Sequence, residues 1–133
     1  GAMKITGNGK IAQYGYSYGF DVKAGKEYGM SFAYMTSENL GLKKGCGSAL
    51  VMVNFGNKKK QIDPKLTKTF RMNPTRGEWK HIQFKVTAPA GAEYGEMVIR
   101  FIGVPASEYA IVDNLRWAPL AGDKNFFNQY SLP

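Results

Sequence analysis

The chain has 133 residues, 44% of them hydrophobic and 14% aromatic, which suits one domain with a core of its own and excludes a disordered chain. Lys plus Arg exceed Asp plus Glu by 18 to 10, a formal charge of +8, a balance that suits a polyanionic partner as well as it suits plain solubility. One cysteine, Cys46, and one histidine, His81, exclude an internal disulfide and a Cys/His zinc site, and no apolar run reaches the length that spans a bilayer.

Gly1-Ala2-Met3 has the look of a protease-cleavage scar and is set apart from the fold, which is placed at 4–119, with 120–133 as a tail or linker. The first expected strand is Lys10 to Val22. Tyr14, Tyr16, Tyr18, Phe20 and Val22 share one parity, and Gly15, Ser17, Gly19 and Asp21 the other. After the turn Lys23-Ala24-Gly25-Lys26, a strand from Glu27 to Met35 repeats the pattern. Tyr28, Met30, Phe32 and Tyr34 face one way, and Gly29, Ser31 and Ala33 the other. The bulky faces are the natural core, and the small faces leave a surface that a ligand can approach closely.

A polar loop, Thr36 to Gly47, leads to the apolar strand Ser48 to Phe55. The basic loop Gly56 to Pro64 carries Lys58, Lys59 and Lys60. A short strand is expected over Thr67 to Met72. Trp79 to Thr87 alternates, with Ile82, Phe84 and Val86 inward and His81, Gln83 and Lys85 outward. Glu96 to Val104 and Tyr109 to Trp117 complete the series. Short strands, polar turns and no helical period predict an all-β, two-sheet antiparallel β-sandwich of the jelly-roll type. In the last strand Ala110 and Val112 share one parity and Leu115 and Trp117 the other, so both pairs face inward only if a bulge lies at Asp113-Asn114.

Three segments in order carry a resemblance: Val22 to Phe32 around Gly25, Tyr28 and Phe32; Gly77 to Pro89 around Trp79, Phe84 and Ala88-Pro89; and Tyr109 to Trp117 around Asp113-Asn114. Together they resemble carbohydrate-binding modules with the galactose-binding-like jelly roll, the group of families four, nine, sixteen and twenty-two. The resemblance implies a non-catalytic module that binds a polysaccharide or oligosaccharide. It would be a monomeric unit tethered to an enzyme or adhesin outside a bacterial cell or at its surface, with no nucleic acid partner and no membrane insertion. It also implies a structural calcium at Asp113, though no acid precedes Gly7 to complete such a site. A structural or protein-docking sandwich without a glycan site is the alternative.

Sugars stack their C–H faces on aromatic rings and present hydroxyls to planar polar groups. Tyr14 and Tyr16 become candidate rings if a bulge at Gly15 turns them outward; Tyr18, Tyr34, Trp79, Tyr94, Tyr109 and Trp117 are the other rings, with core packing the expectation for most. Asn54, Gln83 and Arg100 are candidate polar contacts on outward parities. Arg100 stands out in an otherwise apolar strand. Lys58, Lys59 and Lys60 can attract an acidic glycan or simply be a solvated tip. No residue pattern marks a catalytic centre.

Overall fold

The computed structural model describes residues 1–120. Phe126, Phe127 and Tyr130 of the expected tail lie outside the described residues. Eight strands are present: β1 (Met3–Thr6), β2 (Gln13–Asp21), β3 (Glu27–Thr36), β4 (Ser48–Gly56), β5 (Lys68–Arg71), β6 (Lys80–Thr87), β7 (Tyr94–Ile102) and β8 (Tyr109–Pro119). The sole helical element among the described residues is a three-residue 3-10 turn, Pro64–Leu66. The strands form two four-stranded sheets, β1-β8-β3-β6 and β2-β7-β4-β5, with every pairing antiparallel.

The fold takes in a residue that the sequence reading sets apart. Met3 pairs with Val112, and Ile5 of the same short strand is buried in the core. A strand this short is invisible to periodicity, because only one of its side chains is buried.

The core lies between the sheets. Tyr28, Met30, Phe32 and Tyr34 of β3 meet Val51, Val53 and Phe55 of β4 and Met97, Ile99 and Phe101 of β7. Alternation puts these residues on the inner faces, as the parities predict. The two core tyrosines keep their hydroxyls satisfied at the margins. Tyr28 Oη accepts from the Lys23 amide at 2.8 Å, and Tyr34 Oη donates to the Asn73 carbonyl at 3.0 Å. Trp79 departs from expectation: it is 44% exposed and precedes β6 rather than closing the core.

The bulge in β8 is present. Ser31 pairs with Arg116 and Ala33 with Asp113, so β8 takes three steps where β3 takes two. Asn114 absorbs the extra residue at φ 56°. The parity change lets Ala110, Val112, Leu115 and Trp117 all face the core. Trp117 stacks on Phe20 of the other sheet, with ring centroids 3.5 Å apart, and on Tyr28, at 4.5 Å. Replacing Trp117 with Ala removes the ring between these two. We expect a loss of about 3 kcal/mol, the low end for a large aromatic because the ring is only half-buried, read from the urea midpoint. A loss below about 1 kcal/mol would show that the stack contributes little.

Candidate functional site

Residues paired across an antiparallel sheet point to the same side, so the outer face of β2-β7-β4-β5 reads as a set of rungs. The first carries Tyr14, Arg100, Leu50 and Arg71; the second Ser17, Val98, Met52 and Thr69. The third carries Gly19, Glu96 and Asn54, and the fourth Asp21, Tyr94 and Gly56.

A bulge at Gly15 sets this face. The partners of the adjacent residues Arg100 and Ile99 are Tyr14 and Tyr16, with one extra residue of β2, Gly15, between them. Gly15 is needed there, because a Cβ would come within 2.5 Å of Ile5 Cγ2. The bulge turns Tyr14 outward, 65% exposed. Tyr16 stays on the inner side, packed against the core, so the expectation that both rings face outward is half right. The extra residue falls between them and reverses the parity of Tyr14 alone.

Arg100 sits beside Tyr14, its guanidinium carbon 5.8 Å from the ring centroid. Its Nε is buried and has no hydrogen-bond partner among the described residues. Two rungs away, Asn54 is buried and held at both ends. Its Nδ2 donates to Glu96 Oε1 at 3.1 Å, and its Oδ1 accepts from Thr67 Oγ1 at 2.8 Å. Asn54 and Glu96 thus present a pre-organised amide and carboxylate. Between these groups lies a depression of about 460 Å3, lined by Tyr14, Ser17, Met52, Asn54, Ile62, Pro64, Thr67, Glu96 and Val98. Glu96 and Thr67 escape sequence reasoning as site residues. The only signal was a charged residue on an outward parity within an apolar strand.

Tyr94 lies flat across the far end of the face. A Cβ on Gly19 would collide with its hydroxyl, and Lys60 Nζ is 5.5 Å from its ring centroid. Burial, helped by the negative charges of Glu96 and Asp21, raises its pKa above the usual tyrosine value. The three loop lysines are all exposed, in different surroundings. Lys58 pairs with Glu93 at 3.5 Å, Lys60 covers Tyr94, and Lys59 is exposed.

Gln83 belongs elsewhere. It pairs with Ser31 on the outer face of the other sheet, beside Arg116, so it cannot join Tyr14, Asn54 and Arg100. Parity says that a residue faces outward but not which sheet it faces out from. On that opposite face Ser31 Oγ and His81 Nε2 are hydrogen-bonded at 2.6 Å. Asp113 is also there, and its Oδ1 accepts from the Asn114 amide at 2.8 Å. Calcium takes 6–8 oxygen ligands as a rule. No group of three His, Cys, Asp or Glu suited to a metal occurs among the described residues, and β1, alongside, carries no acid. No such side-chain group forms around Asp113, and we expect chelator to leave the melting temperature unchanged; a fall in it would reveal a seat built from carbonyl oxygens.

Burial holds the His81 pKa below its ordinary value of 6.5. The unfolded chain therefore takes up a proton at higher pH than the folded one. This contribution is intact at neutral pH and declines as pH falls through the unfolded value toward the folded one. The urea midpoint should drop between about pH 7 and pH 5, and His81→Gln should flatten that drop. An identical pH profile in the variant would rule His81 out as the cause.

No protein-family model and no curated protein matches the chain. Solved structures do resemble it. The enzymatically active domain of tailspike protein 4 from bacteriophage CBA120 aligns over 89% of this chain with a TM-score of 0.69 and 9% identity, and this chain spans only 15% of that one. A CBM4 aligns over 90% of this chain and 71% of its own length, with a TM-score of 0.56 and 17% identity. A family 16 carbohydrate-binding module aligns over 88% of this chain and 75% of its own, with a TM-score of 0.55 and 17% identity. At such identities the likeness is one of fold: the chain has the jelly-roll β-sandwich found in carbohydrate-binding modules.

Proposed function

We propose that the chain is a non-catalytic carbohydrate-binding module that holds an extended oligosaccharide along the outer face of β2-β7-β4-β5. The observation that carries this reading is the exposed Tyr14 ring above an open depression, with Arg100 beside it and the pinned Asn54–Glu96 pair two rungs on. Tyr14 offers a stacking surface for a pyranose ring. The amide, carboxylate and guanidinium offer planar partners for hydroxyls. Arg100 lies six steps along β7 from Tyr94, on the order of 20 Å at about 3.3 Å per residue, which suits a chain of several sugars rather than one.

The same geometry argues against catalysis. One oxygen of Glu96 already serves Asn54, and the single histidine bonds Ser31 on the opposite sheet. An open sheet face also does little to exclude water. The module would be one domain of a larger extracellular protein, raising the local concentration of its partner domain on a polysaccharide.

Isothermal titration against a panel of neutral and acidic polysaccharides tests the reading. We expect binding to at least one. Tyr14→Ala and Glu96→Ala should each weaken it about tenfold, roughly 1.4 kcal/mol, while Gln83→Ala leaves it unchanged. Binding that survives both changes would place the site elsewhere, and binding to none would end the carbohydrate reading.

A further inference from the structure

We infer that the Arg100–Arg71 end of the face is a seat for an anionic substituent, a carboxylate or a sulfate carried on one sugar of the ligand. This deepens the carbohydrate reading and rests on it. Arg100 and Arg71 flank Leu50 on one rung. Adjacent strands lie about 4.8 Å apart, so the two backbones are separated by about 10 Å, a gap that both long side chains can close around one anion.

Neither that rung nor the next carries a carboxylate among its paired residues. Arg100 makes no ion pair among the described residues, and its Nε is buried without a partner. That nitrogen is closed off, so the seat falls to the terminal guanidinium nitrogens, and carboxylate and sulfate supply the paired oxygens that fit them. Tyr14, on the same rung, would stack the ring that bears the charge.

The other end of the face differs. Glu96 is four residues from Arg100 along β7, about 13 Å at the usual rise, and Asp21 shares the following rung with Tyr94. Those two carboxylates would repel a uniformly charged polyanion but would accept hydroxyls from neutral sugars. At that end Lys60 stands over the Tyr94 ring and Lys58 beside the Glu93 carboxylate, both exposed. The anion preference that sequence reasoning assigns to the loop lysines therefore falls to the arginines. The ligand that fits is a mixed glycan, with an acidic unit at the Tyr14–Arg100 end and neutral units over Asn54 and Glu96.

The test is titration calorimetry at low and moderate salt with three probes: hyaluronan oligosaccharides for carboxylate alternating with neutral units, chondroitin sulfate for sulfate, and cello-oligosaccharides for an uncharged chain. The wild type should prefer one acidic probe over the neutral one by at least about tenfold, and lose that preference as salt rises. Both acidic probes carry the uronate carboxylate and only chondroitin sulfate adds a sulfate, so a preference for it over hyaluronan assigns sulfate, while equal binding or a preference for hyaluronan assigns carboxylate. Arg100→Gln should remove the preference, and Arg100→Lys should retain only part of it, because the charge stays and the fork goes. Arg71→Gln should weaken acidic binding severalfold. Changing Lys58, Lys59 and Lys60 together to Ser should alter it no more than about twofold. An unchanged melting temperature serves as the check that the variants fold. An equal effect of Arg100→Gln on acidic and neutral probes, or loss of the preference in the lysine variant, overturns the seat. Binding with no acidic preference overturns the seat and leaves the carbohydrate reading standing; failure of every probe overturns both.

Discussion

One extra residue in β8 decides whether the sandwich can close. Without the bulge, β8 would keep a single parity from Ala110 to Trp117. Either Ala110 and Val112 or Leu115 and Trp117 would then face solvent. Asn114 takes up the change in the left-handed region, where asparagine is tolerated better than most residues, and the Asp113 carboxylate satisfies the amide next to it. Trp117 is then free to enter the space between Phe20 and Tyr28. That contact joins an edge strand of one sheet to a central strand of the other, so the placement of β2 depends on it.

The bulge at Gly15 does the opposite. In β8 the extra residue brings a ring in, while in β2 it sends one out. A nine-residue edge strand can thus serve two ends. Its far half, around Phe20, is anchored in the core, and its near half displays Tyr14 next to Arg100. Displaying a tyrosine costs less at an edge, where one side of the strand has no neighbour to bury the ring.

Much of this was legible in the chain. Period-two alternation in β3 and β6 identifies the inward and outward residues correctly, because each of these strands runs straight through its pairing with the other. The conflict of parities in the last strand was enough to place its bulge. The bulge in β2 left a weaker mark. Tyr14, Tyr16, Tyr18 and Phe20 alternate without a break, and a glycine between them is only a permission. Gln83, Asn54 and Arg100 show where local reading stops. All three are outward, but which sheet each belongs to follows from the pairing of β7 with β4 and of β6 with β3, contacts distant in sequence. Glu96 becomes meaningful only once that register sets it opposite Asn54.

The two outer faces differ although β2 and β3 carry the same alternation of bulky and small residues. In β3 the small residues are closed in: Ser31 is 0% and Ala33 3% exposed. The strand is central, and the neighbouring strands place His81, Gln83, Lys85 and Arg116 beside them. In β2 the small residues Ser17 and Gly19 stay exposed, because no strand lies beyond them. Small side chains in the middle of a sheet are roofed over by their neighbours, whereas the same side chains at an edge leave a shallow bed. Tyr14 and Tyr94 stand at the two ends of that bed, with Glu96 and Asn54 along its side. The surface on which a sugar chain can lie follows less from the residues of β2 themselves than from the position that the topology assigns to the strand.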